Sequence, residues 1–176
     1  MTHLIIALGN PGQEYNFTRH NFGFLALDFY AKIHNLTFTE NKKFRVLTAT
    51  HDNATLVKPT SFYNEIGRPI ASLINFYKTP PENILIVCDD FTLDFGRIRY
   101  RASGSAGGNN GLKSIAELLA TTDFPRLRLG TDNPDRPKIG DTDFVLSRFT
   151  TTEKSELPTI LTRANTSIND FIGSVV

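Results

Sequence analysis

The chain has 176 residues, 40% hydrophobic and 21% charged, with a formal net charge of +1. That length suits one domain with a substantial core, and the balance is that of a globular protein rather than a disordered or fibrous one. No stretch approaches the ~20 apolar residues of a membrane span, and the lone cysteine, Cys88, excludes an internal disulfide.

The first apolar run, Leu4–Leu8, reads as a buried strand that ends abruptly in Gly9-Asn10-Pro11-Gly12. The break leaves the run too short for a secretory leader, so a cytoplasmic location with no membrane contact is expected. It also delivers a polar loop to the end of a sheet, where α/β proteins place their chemistry. The loop carries Asn10, whose amide both donates and accepts, and His20, the side chain best suited to moving protons near neutral pH.

Helical spacing follows Asn21 through Phe22, Leu25, Ala26, Phe29 and Ile33. Strands at Phe44–Thr50 and Ala54–Lys58 flank Asp52-Asn53, a dipeptide suited to a tight turn. Lys58-Pro59-Thr60-Ser61-Phe62-Tyr63-Asn64 leads into a helix predicted from Asn64 to Tyr77, where Asn64 serves either as a helix cap or as a site residue. The most hydrophobic strand, Ile84–Cys88, closes on Asp89-Asp90. Carboxylates there are placed to orient a histidine or, as a rival reading, to bind a metal, although the other acids show no ligand spacing.

A strand at Arg97–Arg101 precedes a loop with glycines at 104, 107, 108 and 111, then a helix over Leu112–Ala120. The glycines permit close approaches, and the helix N-terminus offers backbone donors to an anion. The loop has no Gly-Lys-Ser or Gly-Lys-Thr and does not follow the first strand, which disfavours a nucleotide-dependent enzyme. Strands at Arg126–Gly130 and Phe144–Leu146 bracket the irregular stretch Thr131–Asp143, a candidate flap over a site (131–143). A last helix over 152–172 starts or kinks at Pro158.

Strands alternating with helices predict a single α/β domain over 1–176, with a mixed, mostly parallel sheet covered by helices on both faces. Between Arg97 and Lys138 eight cationic side chains stand against four acidic ones, a local excess of +4 that suits a phosphate backbone. No serine or cysteine sits in a Gly-x-Ser-x-Gly elbow, so a hydrolase built on these residues would use water as its nucleophile.

Taken together, the segments resemble the bacterial-type peptidyl-tRNA hydrolase family. The resemblance rests on Gly9-Asn10-Pro11-Gly12-x-x-Tyr15-x-x-Thr18-Arg19-His20-Asn21 and Lys58-Pro59-Thr60-x-Phe62-x-Asn64-x-x-Gly67. Asp89-Asp90 with Leu93 and Gly96, Gly107-Gly108-x-Asn110-Gly111-Leu112-Lys113, Arg126–Gly130 and Phe144-Val145-Leu146-x-x-Phe149 continue it in order over residues 4–149.

The resemblance implies a three-layer α/β/α fold and hydrolysis of the ester joining a peptide to the 3′ end of tRNA. It implies His20 as general base, Asp89 as its orienting acid, and Asn10 at the scissile ester or its oxyanion. Asn64 and Asn110 would position water and peptide backbone, with Tyr15, Asn21 and Phe62 also binding substrate. Arg101 and Arg128 match positions that hold a tRNA phosphate, and Lys113 would add backbone contacts. No metal, cofactor, obligate protein partner or oligomer is implied, and the expected form is a monomer.

The chain departs from the family pattern at Tyr63 (usually methionine), at Cys88, Ala106 and Asn109 (where histidines are frequent), at Arg101 (often lysine), at Asp90-Phe91-Thr92 and at Asp132. The alternative is a non-catalytic RNA-binding relative of the same fold, which a substituted Asn10, His20 or Asp89 would signal; all three are present.

Overall fold

A computed structural model describes residues 2–173. The outermost positions of the expected 1–176 domain, 1 and 174–176, lie outside the described residues. Seven strands form one sheet in the order β2-β3-β4-β1-β5-β7-β6. The strands are β1 His3–Ala7, β2 Thr39–Asn41, β3 Val46–His51, β4 Ala54–Pro59, β5 Ile84–Asp94, β6 Ile98–Arg101 and β7 Arg126–Asp132.

Strands β4, β1, β5 and β7 run parallel, while β2, β3 and β6 add antiparallel edges. The sheet is therefore mixed, with a parallel centre. Leu4, Ile5, Ile6 and Ala7 are fully buried, as a central strand covered on both faces requires.

Two apolar layers sandwich the sheet. Helices α1 (Phe22–Ile33) and α6 (Thr151–Gly173) close one face over Ile5, Val87, Leu127 and Leu129. Helices α2 (Gly67–Tyr77) and α3 (Asn110–Leu119) close the other over Leu4, Ile6, Ile86 and Cys88. The chain leaves β1 for α1 on one face and leaves the adjacent β4 for α2 on the other. Neighbouring connections thus diverge at the carboxyl ends of parallel strands and open a crevice there. Gly23 lets α1 approach closely, since a Cβ there would collide with the carbonyl oxygens of Leu8 and Val87.

Several sequence expectations change. Strand β5 continues through Asp94, with a register shift against β7 between Asp90 and Asp94, so the paired aspartates lie within a strand rather than after one. Phe144–Leu146 is not a strand: it is the end of helix α5 (Asp141–Leu146), because three consecutive apolar residues suit a buried helical turn as well as a strand. Residues 131–143 are not an irregular loop. They hold the end of β7, the short helix α4 (Arg136–Ile139) and the start of α5, tied by Arg136 to Asp132 at 2.7 Å and to Asp141 at 2.9 Å.

Helix α6 begins well before Pro158. Thr150 and Glu153 form a reciprocal cap, with Glu153 N–H donating to Thr150 Oγ1 at 3.2 Å and Thr150 N–H to Glu153 Oε2 at 2.7 Å. Among the described residues no helix is long and apolar enough to cross a membrane.

Candidate active site

The carboxyl ends of β1, β4 and β5 converge on a pocket of about 620 Å³. His20, Asp89, Asn10, Asn64 and Asn110 all line it, and Tyr63 joins them. His20 sits in a 3-10 turn (Arg19–Asn21) that runs directly into α1. Its Nδ1 lies 3.0 Å from both carboxylate oxygens of Asp89. An ionised carboxylate only accepts, so Nδ1 carries the proton and Nε2 is the acceptor nitrogen. Asp89 is 2% exposed and His20 17%. The acid is shielded while the imidazole reaches solvent.

Asn10 is held from two sides. Its backbone N–H donates to Asn21 Oδ1 at 2.8 Å, and Asn21 Nδ2 donates back to the Asn10 carbonyl at 2.9 Å. The side-chain oxygen of Asn10 accepts the backbone N–H of Tyr63 at 2.8 Å. That contact fixes the amide's orientation and leaves its NH2 group for the pocket. Asn21, expected to touch substrate, is buried with both amide groups on the Asn10 backbone, so its place is behind the site. Tyr15 and the half-exposed Phe62, both expected to bind substrate, meet edge to face with ring centroids 6.2 Å apart, and neither lines this pocket.

The second aspartate takes different partners, because consecutive residues of a strand face opposite ways. Asp90 accepts Thr92 N–H at 2.9 Å and Thr92 Oγ1–H at 2.7 Å, and it faces Arg128 Nε at 3.3 Å. The metal reading of Asp89-Asp90 gains nothing from this. Among the described residues no three histidine, cysteine or acidic side chains meet as a ligand group.

The cations divide into two groups. Strands β6 and β7 pair Arg99 with Arg128 and Arg101 with Arg126, which sets all four arginines on the face carrying the glycine loop. Arg126 is buried and donates to the carbonyls of Gly104, Ser105, Thr122 and Phe124. Burial, then the neighbouring Arg128, pulls its pKa below the usual guanidinium value. Arg128 donates to the Ala106 carbonyl at 2.8 Å, and a Cβ on Gly107 would strike its guanidinium. Two arginines expected to serve the basic patch thus hold the loop, and Arg128 also lines the pocket. Arg101 and Lys113 are exposed, and Arg101 stands on the edge strand.

Cys88 is buried beneath the site, and burial with the adjacent Asp89 charge pushes its thiol pKa far up, so it is inert. Sequence reasoning missed two features of the site. Tyr63 reaches Asp89 and is itself held by Asn109, and Val145 and Leu146 of α5 join Asp141 and Thr142, from the expected flap segment, as a pocket wall.

The family model described as peptidyl-tRNA hydrolase matches residues 4–175. The chain is 41% identical over 172 residues to the peptidyl-tRNA hydrolase of Chlorobium chlorochromatii, covering 96% of this chain and 90% of that one. It is 42% identical over 163 residues to the enzyme of Alkaliphilus oremlandii, covering 90% and 85%. The crystal structure of peptidyl-tRNA hydrolase from Acinetobacter baumannii superposes with a TM-score of 0.90 at 29% identity, covering 98% of this chain and 89% of that one.

Proposed function

The chain belongs to the peptidyl-tRNA hydrolase family and hydrolyses peptidyl-tRNA, and from that premise we propose that His20, Asp89 and Asn10 carry the reaction. The observation that supports this most is the His20–Asp89 contact at 3.0 Å on the wall of the pocket, with the acid shielded and the base reaching solvent. Water is the nucleophile. Nε2 of His20 takes its proton as the oxygen attacks the ester carbonyl, and Asp89 stabilises the imidazolium that forms. The NH2 group of Asn10 donates to the developing oxyanion. Collapse breaks the bond to the ribose oxygen, which receives the proton from His20, leaving a peptide carboxylic acid and free tRNA.

Asn64 and Asn110 line the pocket as exposed amides suited to peptide backbone, which accounts for acceptance of many sequences. Tyr15 and Phe62 offer ring faces to the terminal base. Arg101 and Lys113 take backbone phosphates; Arg128 acts indirectly, by holding the glycine loop. The reading assigns no step to a metal or organic cofactor. The expected form is a monomer without an obligate protein partner, and a substrate of translation supports a cytoplasmic site of action. The RNA-binding alternative finds no support, because no member of the catalytic set is substituted.

The test is release of the acyl amino acid from N-acyl-aminoacyl-tRNA. His20→Ala is expected to lose about 10²-fold or more in turnover, the usual worth of a general base, while tRNA affinity is retained.

A further inference from the structure

The proposed base and acid do not hold their positions alone. Tyr63 Oη lies 3.1 Å from Asp89 Oδ1, and Asn109 Nδ2 lies 2.7 Å from Tyr63 Oη. The Leu112 N–H, at the start of α3, donates to Asn109 Oδ1 at 3.0 Å. The direction of every bond in this chain follows from its far end. A backbone N–H can only donate, so Oδ1 of Asn109 faces Leu112 and its NH2 faces the phenol. The phenol oxygen accepts from that NH2, which turns its own proton onto Asp89.

The tyrosine acts on the other groups as well. Its ring stacks on His20, centroids 3.6 Å apart and planes 15° apart. Its backbone N–H orients the Asn10 amide. One buried residue therefore touches the base, the acid and the oxyanion donor. Its phenol stays protonated: burial first, then the Asp89 charge, raises its pKa well above the usual value.

We propose that Tyr63, its hydroxyl aimed by Asn109, is a positioning residue that fixes the Asp89 carboxylate and the His20 ring for proton abstraction. This rests on the His20 reading above. The remaining groups near the pair are already committed. Asp90 faces Arg128, Asp141 pairs with Arg136, and the Cys88 thiol is buried and neutral. The relay therefore shapes the acid without competition from another free charge among these residues.

Tyr63→Phe keeps the ring and the stack but removes the proton given to Asp89. Asn109→Ser keeps a helix-capping oxygen but is too short to reach the phenol. Each is expected to lower kcat for N-acyl-aminoacyl-tRNA about tenfold, within the range for a hydrogen bond to a charged group, with KM nearly unchanged. In Tyr63→Phe, with one donor fewer, Asp89 attracts the imidazolium more strongly, so the acidic limb of the pH–rate profile moves to higher pH. In Asn109→Ser the phenol keeps its proton but loses the bond that aims it, and the limb moves the same way by less.

The double variant is expected to be no slower than Tyr63→Phe, because both changes cut one chain of bonds. Unchanged kcat and pH profile in a folded Tyr63→Phe protein would overturn the proposal, as would fully additive losses. If His20→Ala itself retained turnover, the base assignment would fail instead, which separates the two readings.

Discussion

Replacing Glu153 by glutamine removes one charge from the strut that holds the turn carrying His20. Arg19 is the residue before His20, and its Nη2 lies 2.9 and 2.6 Å from the two carboxylate oxygens of Glu153. The side chains are 3% and 9% exposed, so solvent screens the pair little. Arg19 also donates to Ser147 Oγ at 3.0 Å and to the Arg148 carbonyl at 2.6 Å, with its guanidinium 4.5 Å from the Phe144 ring centroid.

Every neighbour of the carboxylate donates. Asn133 Nδ2 reaches Oε1 at 2.8 Å and the Thr150 N–H reaches Oε2 at 2.7 Å. A glutamine NH2, turned either way, therefore meets donors and leaves the Arg19 charge buried without its counter-ion. Breaking a buried pair from one side costs about 3–5 kcal/mol. The lower end applies because the glutamine oxygen keeps part of the network. For a chain this long, ~3 kcal/mol lowers Tm by about 6–12 °C. Urea unfolding and calorimetry measure both quantities. The control is Lys113→Met, which removes an exposed pair at 4.0 Å and is expected to change stability by less than about 1 kcal/mol. A loss for Glu153→Gln no larger than the control's would refute the buried-strut argument.

Acid should weaken the fold through two histidines: burial foremost holds His3 and His34 below the usual 6.5, aided by the N-terminal charge at His3 and by His51 at His34. Both favour the neutral form when folded, so their stabilisation is complete above pH 6.5 and is lost as pH falls from there through the folded values. The urea midpoint is expected to decline over that window, and His34→Gln should flatten the decline; a parallel curve would contradict this. Arg101→Ala is expected to weaken full-length peptidyl-tRNA more than a short acylated fragment, and to reduce the salt slope of binding by about 1, as loss of one phosphate contact predicts. Equal weakening on both substrates would remove Arg101 from the phosphate track.

The parallel centre of the sheet was legible because Leu4–Leu8 and Ile84–Cys88 are unbroken apolar runs, the pattern of strands covered on both faces. The end of β5 was less so: Asp89, Asp90 and Asp94 look like a loop in sequence, yet pairing with β7 holds them extended. Helix α5 was misread because Phe144-Val145-Leu146 has no period of its own, whereas the start of α6 had a usable signal in Thr150-Thr151-Thr152-Glu153.

At the site, Asn10, His20, Asn64, Asp89 and Asn110 lay in polar segments that follow or precede apolar runs, and the family resemblance, not their spacing, gave them roles. The roles of Arg126 and Arg128 could not be read: alternation with Leu127 and Leu129 puts them on one face, but the loop carbonyls they meet lie more than twenty positions away. Tyr63 and Asn109 stood out separately as departures from the family pattern. Their contact spans 46 positions of sequence and appears only when the turn Tyr63–Glu65 packs against the start of α3.

Single-turnover cleavage of N-acyl-aminoacyl-tRNA at saturating enzyme, wild type against His20→Ala, tests the central claim most directly because substrate binding drops out of the rate. The account predicts a fall of about 10²-fold or more, with partial return of activity when free imidazole is supplied and an unchanged affinity for tRNA. A variant that cleaves within a few-fold of wild type would contradict it and move the general base elsewhere in the pocket.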